Sequence, residues 1–324
     1  MFLEIEHQLS FTYDGFVRES VLELRMQPKT TSQQTLQSFV LAVGPPTKVA
    51  RYRDWNDNLV HHFTIANFHD RIEVSARSLV RTGPAPVGLD RATEPAPAGE
   101  PAWTLLDFLG FGGPVRDGAR LREFAEAAPT APRAPLGEQV AALGRHIGQH
   151  FTYRKNVTRY DSTTEDFLRH GAGVCQDFAH LMLGALRLRR IPCRYVSGYL
   201  HVQPEDGEVA QSHAWIEFHA GAAGWIGFDP THGREIDERY VVVAHGRHYD
   251  DVPPNKGIYR GNAEETLAAR VLTRASEQKA ISTLYEEMEE IDLPVFPEIP
   301  DRRREREPNI IVIEEQIGQQ QQQQ

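Results

Sequence analysis

Apolar and polar side chains alternate along the first eighty residues. Leu3, Ile5, Leu9 and Phe11 stand against Glu4, Glu6, Gln8 and Ser10, and Leu22, Leu24 and Met26 against Glu23, Arg25 and Gln27. A period of two sends successive side chains to opposite faces, so each run predicts a strand with one face in a core. Phe39, Leu41 and Val43 form a third run. After the turn-like Asp54-Trp55-Asn56-Asp57-Asn58, two more centre on Phe63 and on Ile72, Val74 and Ala76. Short strands at this spacing predict a β-sandwich over residues 1–82.

The alternation stops in TGPAPVGLDRATEPAPAGEP, whose Pro, Ala and Gly carry no apolar period, so residues 83–102 are expected to be a linker. Helical spacing follows over Ala119–Ala127 and over Leu136–Phe151, where Val140, Leu143 and Ile147 share a face, and Thr164 can cap a short helix from Glu165. From Cys175, the residues Phe178, Met182, Ala185 and Leu186 fall on one face of a helix that ends in Arg187, Arg189 and Arg190, the charge a helix C-terminus favours. Residues 239–249 read as a strand and turn. Residues 103–275 are expected to form one helix-and-sheet core. Residues 276–324, which combine charge, a brief apolar patch (NIIVI) and a glutamine run, are expected to be a disordered tail.

Charge and cysteine usage narrow the class. A formal net charge of −10 over 324 residues disfavours neutralisation of phosphate backbones or anionic lipid, so neither nucleic acid nor membrane is an expected partner. The opening MFLEIEHQLS lacks a basic stretch followed by an apolar one, and no run of eighteen apolar residues occurs, so the expected location is the cytoplasm. Cys175 and Cys193 are the two cysteines. If a helix joins them they lie roughly 20 Å apart, beyond the reach of a disulfide, and both should be free thiols.

Cys175 follows the glycine-rich HGAGV and opens the predicted helix. In a first helical turn the backbone N–H groups point outward and stabilise a thiolate, and the same groups can donate to the oxyanion formed when a thiolate attacks an amide carbonyl. Gly171 and Gly173 would let a substrate backbone approach. Taken alone, Cys175 reads more readily as a small buried hydrophobe, which most free cysteines are. Cys193, after Pro192 on an apolar strand with no helix terminus beside it, reads as structural.

A thiol nucleophile needs an imidazole to carry its proton and a carboxylate or amide to orient that imidazole. In SHAWIEFHAGAAGWIGFDPTHG, residues 212–233, two strand-like runs flank Ala220–Gly224 as in a hairpin. If paired residue numbers sum to 442 or 444, His213 lies opposite or diagonal to Asp229 on one face. Cys175, His213 and Asp229 then form an ordered nucleophile, base and orienter. His180 projects from another side of the cysteine helix and His232 lies off the strand, which makes both weaker bases. A zinc site is the rival for a chain with 14 histidines, but C-x-x-C and H-E-x-x-H are absent, so no metal and no cofactor are expected.

The motifs GVCQDFAH (173–180), YVSGY (195–199), SHAW (212–215) and GFDPT (227–231) together resemble the bacterial transglutaminase-like proteins, of the transglutaminase-like superfamily. The strand-rich first eighty residues resemble the N-terminal region of those proteins. The resemblance implies an α+β fold: a papain-like core, a helix packed on an antiparallel sheet, preceded by a β-sandwich. It also implies that Cys175 is the nucleophile, His213 the general base and acid, and Asp229 the orienting residue. The chain departs from relatives at two places. Val174-Cys175-Gln176 stands where animal transglutaminases have Gln-Cys-Trp, and Arg169 stands where papain-like proteases place the glutamine that donates to the oxyanion. The expected activity is thiol-dependent acyl transfer on peptide or glutamine-type amides of a protein or peptide substrate, with hydrolysis favoured over amine transfer. The alternatives are a protein-glutamine transglutaminase and an inactive binding module that keeps the fold.

Overall fold

The computed structural model describes residues 1–85, 87–94, 102–129, 131–202, 211–276, 290–298 and 310–313. The chain divides into two compact units. Among the described residues, one gathers Met1–Thr82, residues 201, 202 and 211, and those from Pro253 to Ile313, and the other gathers those within Gly83–Leu200 and Ser212–Val252.

The first unit is a β-sandwich. Its strands are Phe2–Val17 (β1), Glu19–Leu24 (β2), Gln34–Gly44 (β3), Ala50–Arg53 (β4), Leu59–Ile65 (β5) and His69–Thr82 (β6). In β1 the even alternation is met in full, with Leu3, Ile5, His7, Leu9, Phe11 and Tyr13 all buried. Leu9 and Phe11, Leu22 and Leu24, Phe63, and Ile72 and Val74 meet in one apolar core drawn from both sheets. Phe39, Leu41 and Val43 are only partly buried against that core, because β3 is an edge strand of its sheet.

Among its described residues the second unit contains four α-helices, Ala119–Ala127 (α1), Leu136–His150 (α2), Thr164–His170 (α3) and Cys175–Leu188 (α4). It also contains the short parallel pair Thr152–Tyr153 (β7) and Ala172–Gly173 (β8). Its main sheet comprises Cys193–Leu200 (β9), Gln211–His219 (β10), Trp225–Asp229 (β11), Arg234–Glu235 (β12) and Tyr240–Gly246 (β13), in the order β12-β11-β10-β9-β13. Pairings β10/β11, β11/β12 and β9/β13 are antiparallel. Helix α4 packs on β9 and is buried all round from Cys175 to Arg187 rather than on one face. A helix of this kind lies inside a domain. Gly184 permits the close approach of α1, since a Cβ there would come within 2.8 Å of Leu121. Arg187, a cation in the last turn as expected, is buried and donates to the carbonyls of Gly110, Cys193 and Arg247. It ties three separate chain segments to the helix end, because five N–H donors and no acceptor suit it to carbonyls.

The expected core boundary at residue 275 is corrected by pairing. Asn255–Arg260 (β14) pairs with β2 and Glu265–Ser276 (β15) pairs with β1 along twelve residues, so both complete the sandwich, whose sheets run β15-β1-β6-β3 and β16-β14-β2-β5-β4. Strand pairing joins segments distant in sequence, and alternation within a single strand does not reveal its partner. Within the expected tail, Ile310–Ile313 (β16) pairs with β14; the glutamine run lies outside the described residues. Within the expected linker, Leu89–Arg91 forms a 3-10 turn, and the carbonyls of Ala92 and Glu94 accept the first N–H groups of α2, capping a helix that Pro135 leaves without a side-chain cap. The N-cap of α3 is Thr163, one residue ahead of the expected Thr164. Its hydroxyl and the Asp166 carboxylate form a reciprocal capping box.

Candidate active site

Helix α4 begins at the predicted residue because Asp177 ends the preceding turn there. Its buried carboxylate accepts the Val174 N–H at 2.8 Å and the Thr158 hydroxyl at 2.7 Å. Gly173 makes room for this, since a Cβ at that position would lie 2.4 Å from the Asp177 carboxylate. Burial pushes the Asp177 carboxyl up to about 6, against the opposing pull of those hydrogen bonds. The consequence is a fixed first turn with Cys175 at its start, 3% exposed. Cys175 and Cys193 are both free thiols.

The β10/β11 register pairs Ile216 with Phe228 and His219 with Trp225, so residue numbers sum to 444 and His213 lies diagonal to Asp229. The hairpin turns through Gly221 and Gly224, both at positive φ, a conformation that a Cβ penalises. His213 Nε2 meets Asp229 Oδ2 at 2.8 Å, and the Cys175 thiol hydrogen-bonds to the same ring. The three residues singled out from the sequence are thus assembled in one unit, with His213 8% and Asp229 0% exposed.

Asp229 is crowded with donors. Oδ1 accepts the N–H groups of Thr231 at 2.9 Å and His232 at 3.3 Å, and Oδ2 accepts His213 Nε2, His232 Nδ1 at 2.6 Å and the Tyr240 hydroxyl at 2.8 Å. Burial alone would raise this carboxyl. The His213 charge and the hydrogen bonds from His213 and His232 outweigh burial and hold it well below the usual carboxylate range. A carboxylate in this setting is an acceptor only, so His213 carries a hydrogen on Nε2 and Nδ1 is the nitrogen left to exchange a proton. His213 shows the complementary effect: burial lowers it, but Asp229 and then Cys175 overcome that and push it up to about 10. The ring therefore favours its imidazolium form beside the Cys175 side chain.

The other residues considered sort by contact. His180 is sealed in the core, where its Nε2 accepts the Tyr249 N–H at 3.2 Å and burial holds it well below its ordinary value. His232, read as a weaker base, sits beyond Asp229 as a second ring on the same oxygen. His213, Asp229 and His232 bring three ligand-type atoms within 4.8 Å, but both imidazole nitrogens face one carboxylate oxygen at hydrogen-bonding distance. Arg169 pairs with Asp166 at 2.5 Å and is exposed, which removes it from any oxyanion role. Sequence reasoning missed Tyr240, Asp177 and Thr158. Asp177 had a local signal, an acid at the third helical position. Tyr240 had none, because it reaches Asp229 from another strand.

A helix-borne thiol facing a sheet-borne histidine and aspartate is the arrangement of a papain-like thiol-enzyme fold. The chain belongs to the transglutaminase-like superfamily. The family model of the transglutaminase-like superfamily matches residues 122–230, and that of the bacterial transglutaminase-like N-terminal region matches residues 3–81. An uncharacterised Mycobacterium leprae protein is 32% identical over 286 residues, 82% of this chain and 95% of the relative. A protein-glutamine gamma-glutamyltransferase of Pseudomonas aeruginosa is 28% identical over 161 residues, 46% of this chain and 24% of that protein. A crystal structure from Cytophaga hutchinsonii, described as that of a candidate cysteine protease, superposes with a TM-score of 0.71 at 20% identity, covering 86% of this chain and 92% of that one. That likeness concerns the fold.

Proposed function

We propose that the protein is a thiol-dependent acyl-transfer enzyme acting on peptide or glutamine-type amide bonds of protein or peptide substrates in the cytoplasm, and that it transfers the acyl group chiefly to water. The observation that carries the reading is one imidazole ring bonded on one side to Asp229 and on the other to a thiol at a helix N-terminus.

The thiolate of Cys175 attacks the carbonyl carbon, and the negative charge moves to the carbonyl oxygen, where the backbone N–H of Cys175 donates to it. His213 then gives its Nδ1 proton to the departing amine as the C–N bond breaks, which leaves a thioester on Cys175 and a neutral imidazole. Water attacks the thioester while His213 takes its proton. The acid leaves, and the thiolate and imidazolium are restored. An amine in place of water would give transamidation by the same steps. That second reading is favoured by the Pseudomonas relative, a protein-glutamine gamma-glutamyltransferase. Water is preferred here as the abundant acceptor.

The test is mass spectrometry of a protein mixture incubated with the purified chain and a labelled primary amine, beside a Cys175→Ala control. Cys175-dependent deamidation or new peptide termini would support hydrolysis. Label on glutamine side chains would move the assignment to transglutaminase. Identical samples would favour an inactive binding module.

A further inference from the structure

Resting on the Cys175–His213 reading above, we propose that Tyr240 is a positioning residue of this site, holding the Asp229 carboxylate in line with His213 through a hydrogen-bond chain that begins at Arg234. The direction of that chain follows from which groups can donate. Arg234 Nε can only donate, and it meets the Tyr240 hydroxyl oxygen at 3.0 Å. The phenolic hydrogen is therefore turned away from Arg234 and toward Asp229 Oδ2, 2.8 Å distant. Trp215 closes on the Tyr240 ring at 5.4 Å with an interplanar angle of 77°, and the Arg234 guanidinium lies 5.7 Å from the ring centre. The phenol is buried, 1% exposed, and cannot swing away.

Asp229 is consequently fixed from two directions, by the backbone N–H groups of Thr231 and His232 on Oδ1 and by Tyr240 on Oδ2. Among the described residues, the charged and titratable groups that face His213 are Cys175 from α4, Asp229 from β11, His232 just after it and Tyr240 from β13. Removing the phenolic hydroxyl leaves the others in place and takes one donor from Oδ2. The carboxylate charge is then less shared and holds the His213 proton more tightly, so the ring should give that proton up at higher pH. The carboxylate also gains freedom to turn, which slows every step that passes a proton through His213.

Histidine-ring NMR titration of the full chain, with His213 assigned by its absence in His213→Gln, reads this without a substrate. In Tyr240→Phe the His213 midpoint should rise by about half a unit or more. Arg234→Gln keeps the phenol but removes its donor and a nearby positive charge. It should shift the midpoint in the same direction by less, and it decides alone if Tyr240→Phe does not fold. An unmoved midpoint in folded variants of both residues overturns the proposal and makes Tyr240 a packing residue. A shifted midpoint in a protein whose Cys175→Ala form loses no activity would defeat the catalytic reading instead, while leaving the Tyr240–His213 coupling standing.

Discussion

The two cysteines sit eighteen positions apart in sequence, joined by α4 and the turn that follows it, in different surroundings. Cys175 lies in a first helical turn beside a ring that Asp229 keeps protonated. Cys193 is fully buried at the start of β9, its Sγ meets the Leu183 carbonyl at 3.5 Å, and burial pushes it up to about 11 despite the Arg187 charge. Burial by itself therefore does not make a thiol reactive. What distinguishes the two is a titratable partner whose own proton is held in place from behind.

The largest expected contrast is in turnover. Cys175→Ala should lower Cys-dependent acyl transfer by about 10⁴-fold or more, whereas Cys193→Ala should leave it within about threefold and cost about 1 kcal/mol of stability. Rates on the substrate found by mass spectrometry, with thermal melts alongside, check both; equal losses would erase the distinction. Next in size, Asp229→Ala should slow turnover by about 10²–10⁴-fold while leaving the slow reaction of Cys193 with alkylating agents untouched, as read by stopped-time labelling.

The pH dependence of stability sharpens the same contrast. His213 is raised from 6.5 to about 10, so its contribution is complete below pH 6.5 and lost as pH climbs toward 10. Asp229 is lowered from 3.8, so its contribution is present above about pH 4 and lost as pH falls. Thermal melts should accordingly show a plateau between these limits. His213→Gln should remove the alkaline fall, and Asp229→Asn should shrink the acid one. Unchanged pH profiles in both would mean that the pair is not coupled in the folded chain. The smallest effect concerns Thr158→Val, which takes one hydrogen bond from Asp177. It should cost about 1 kcal/mol and slow Cys175 alkylation a few-fold, without altering Cys193.

Much of this was legible because the signals were local. The period of two in β1 and β2 identified a half-buried sandwich, and the glycine-rich turn before an apolar helix located Cys175. The hairpin arithmetic gave two registers, of which the structure has the one summing to 444. What was not legible depended on chain segments meeting from afar. Strands β14 and β15 read as part of the core until their pairing with β2 and β1 was seen. The all-round burial of α4 depends on the other helices and β9 packing against it, and the Tyr240 hydrogen bond depends on a strand beginning eleven residues beyond Asp229.

The central claim is that one thiol of two is activated, and that His213 activates it. Labelling the folded chain with a limiting amount of iodoacetamide at pH 6.5, followed by peptide mapping, tests it directly in the wild type and in His213→Ala. Label confined to Cys175, and reduced by about 10²-fold in the variant, is the predicted result. Label on both cysteines, or on Cys175 at a rate indifferent to His213, would contradict it.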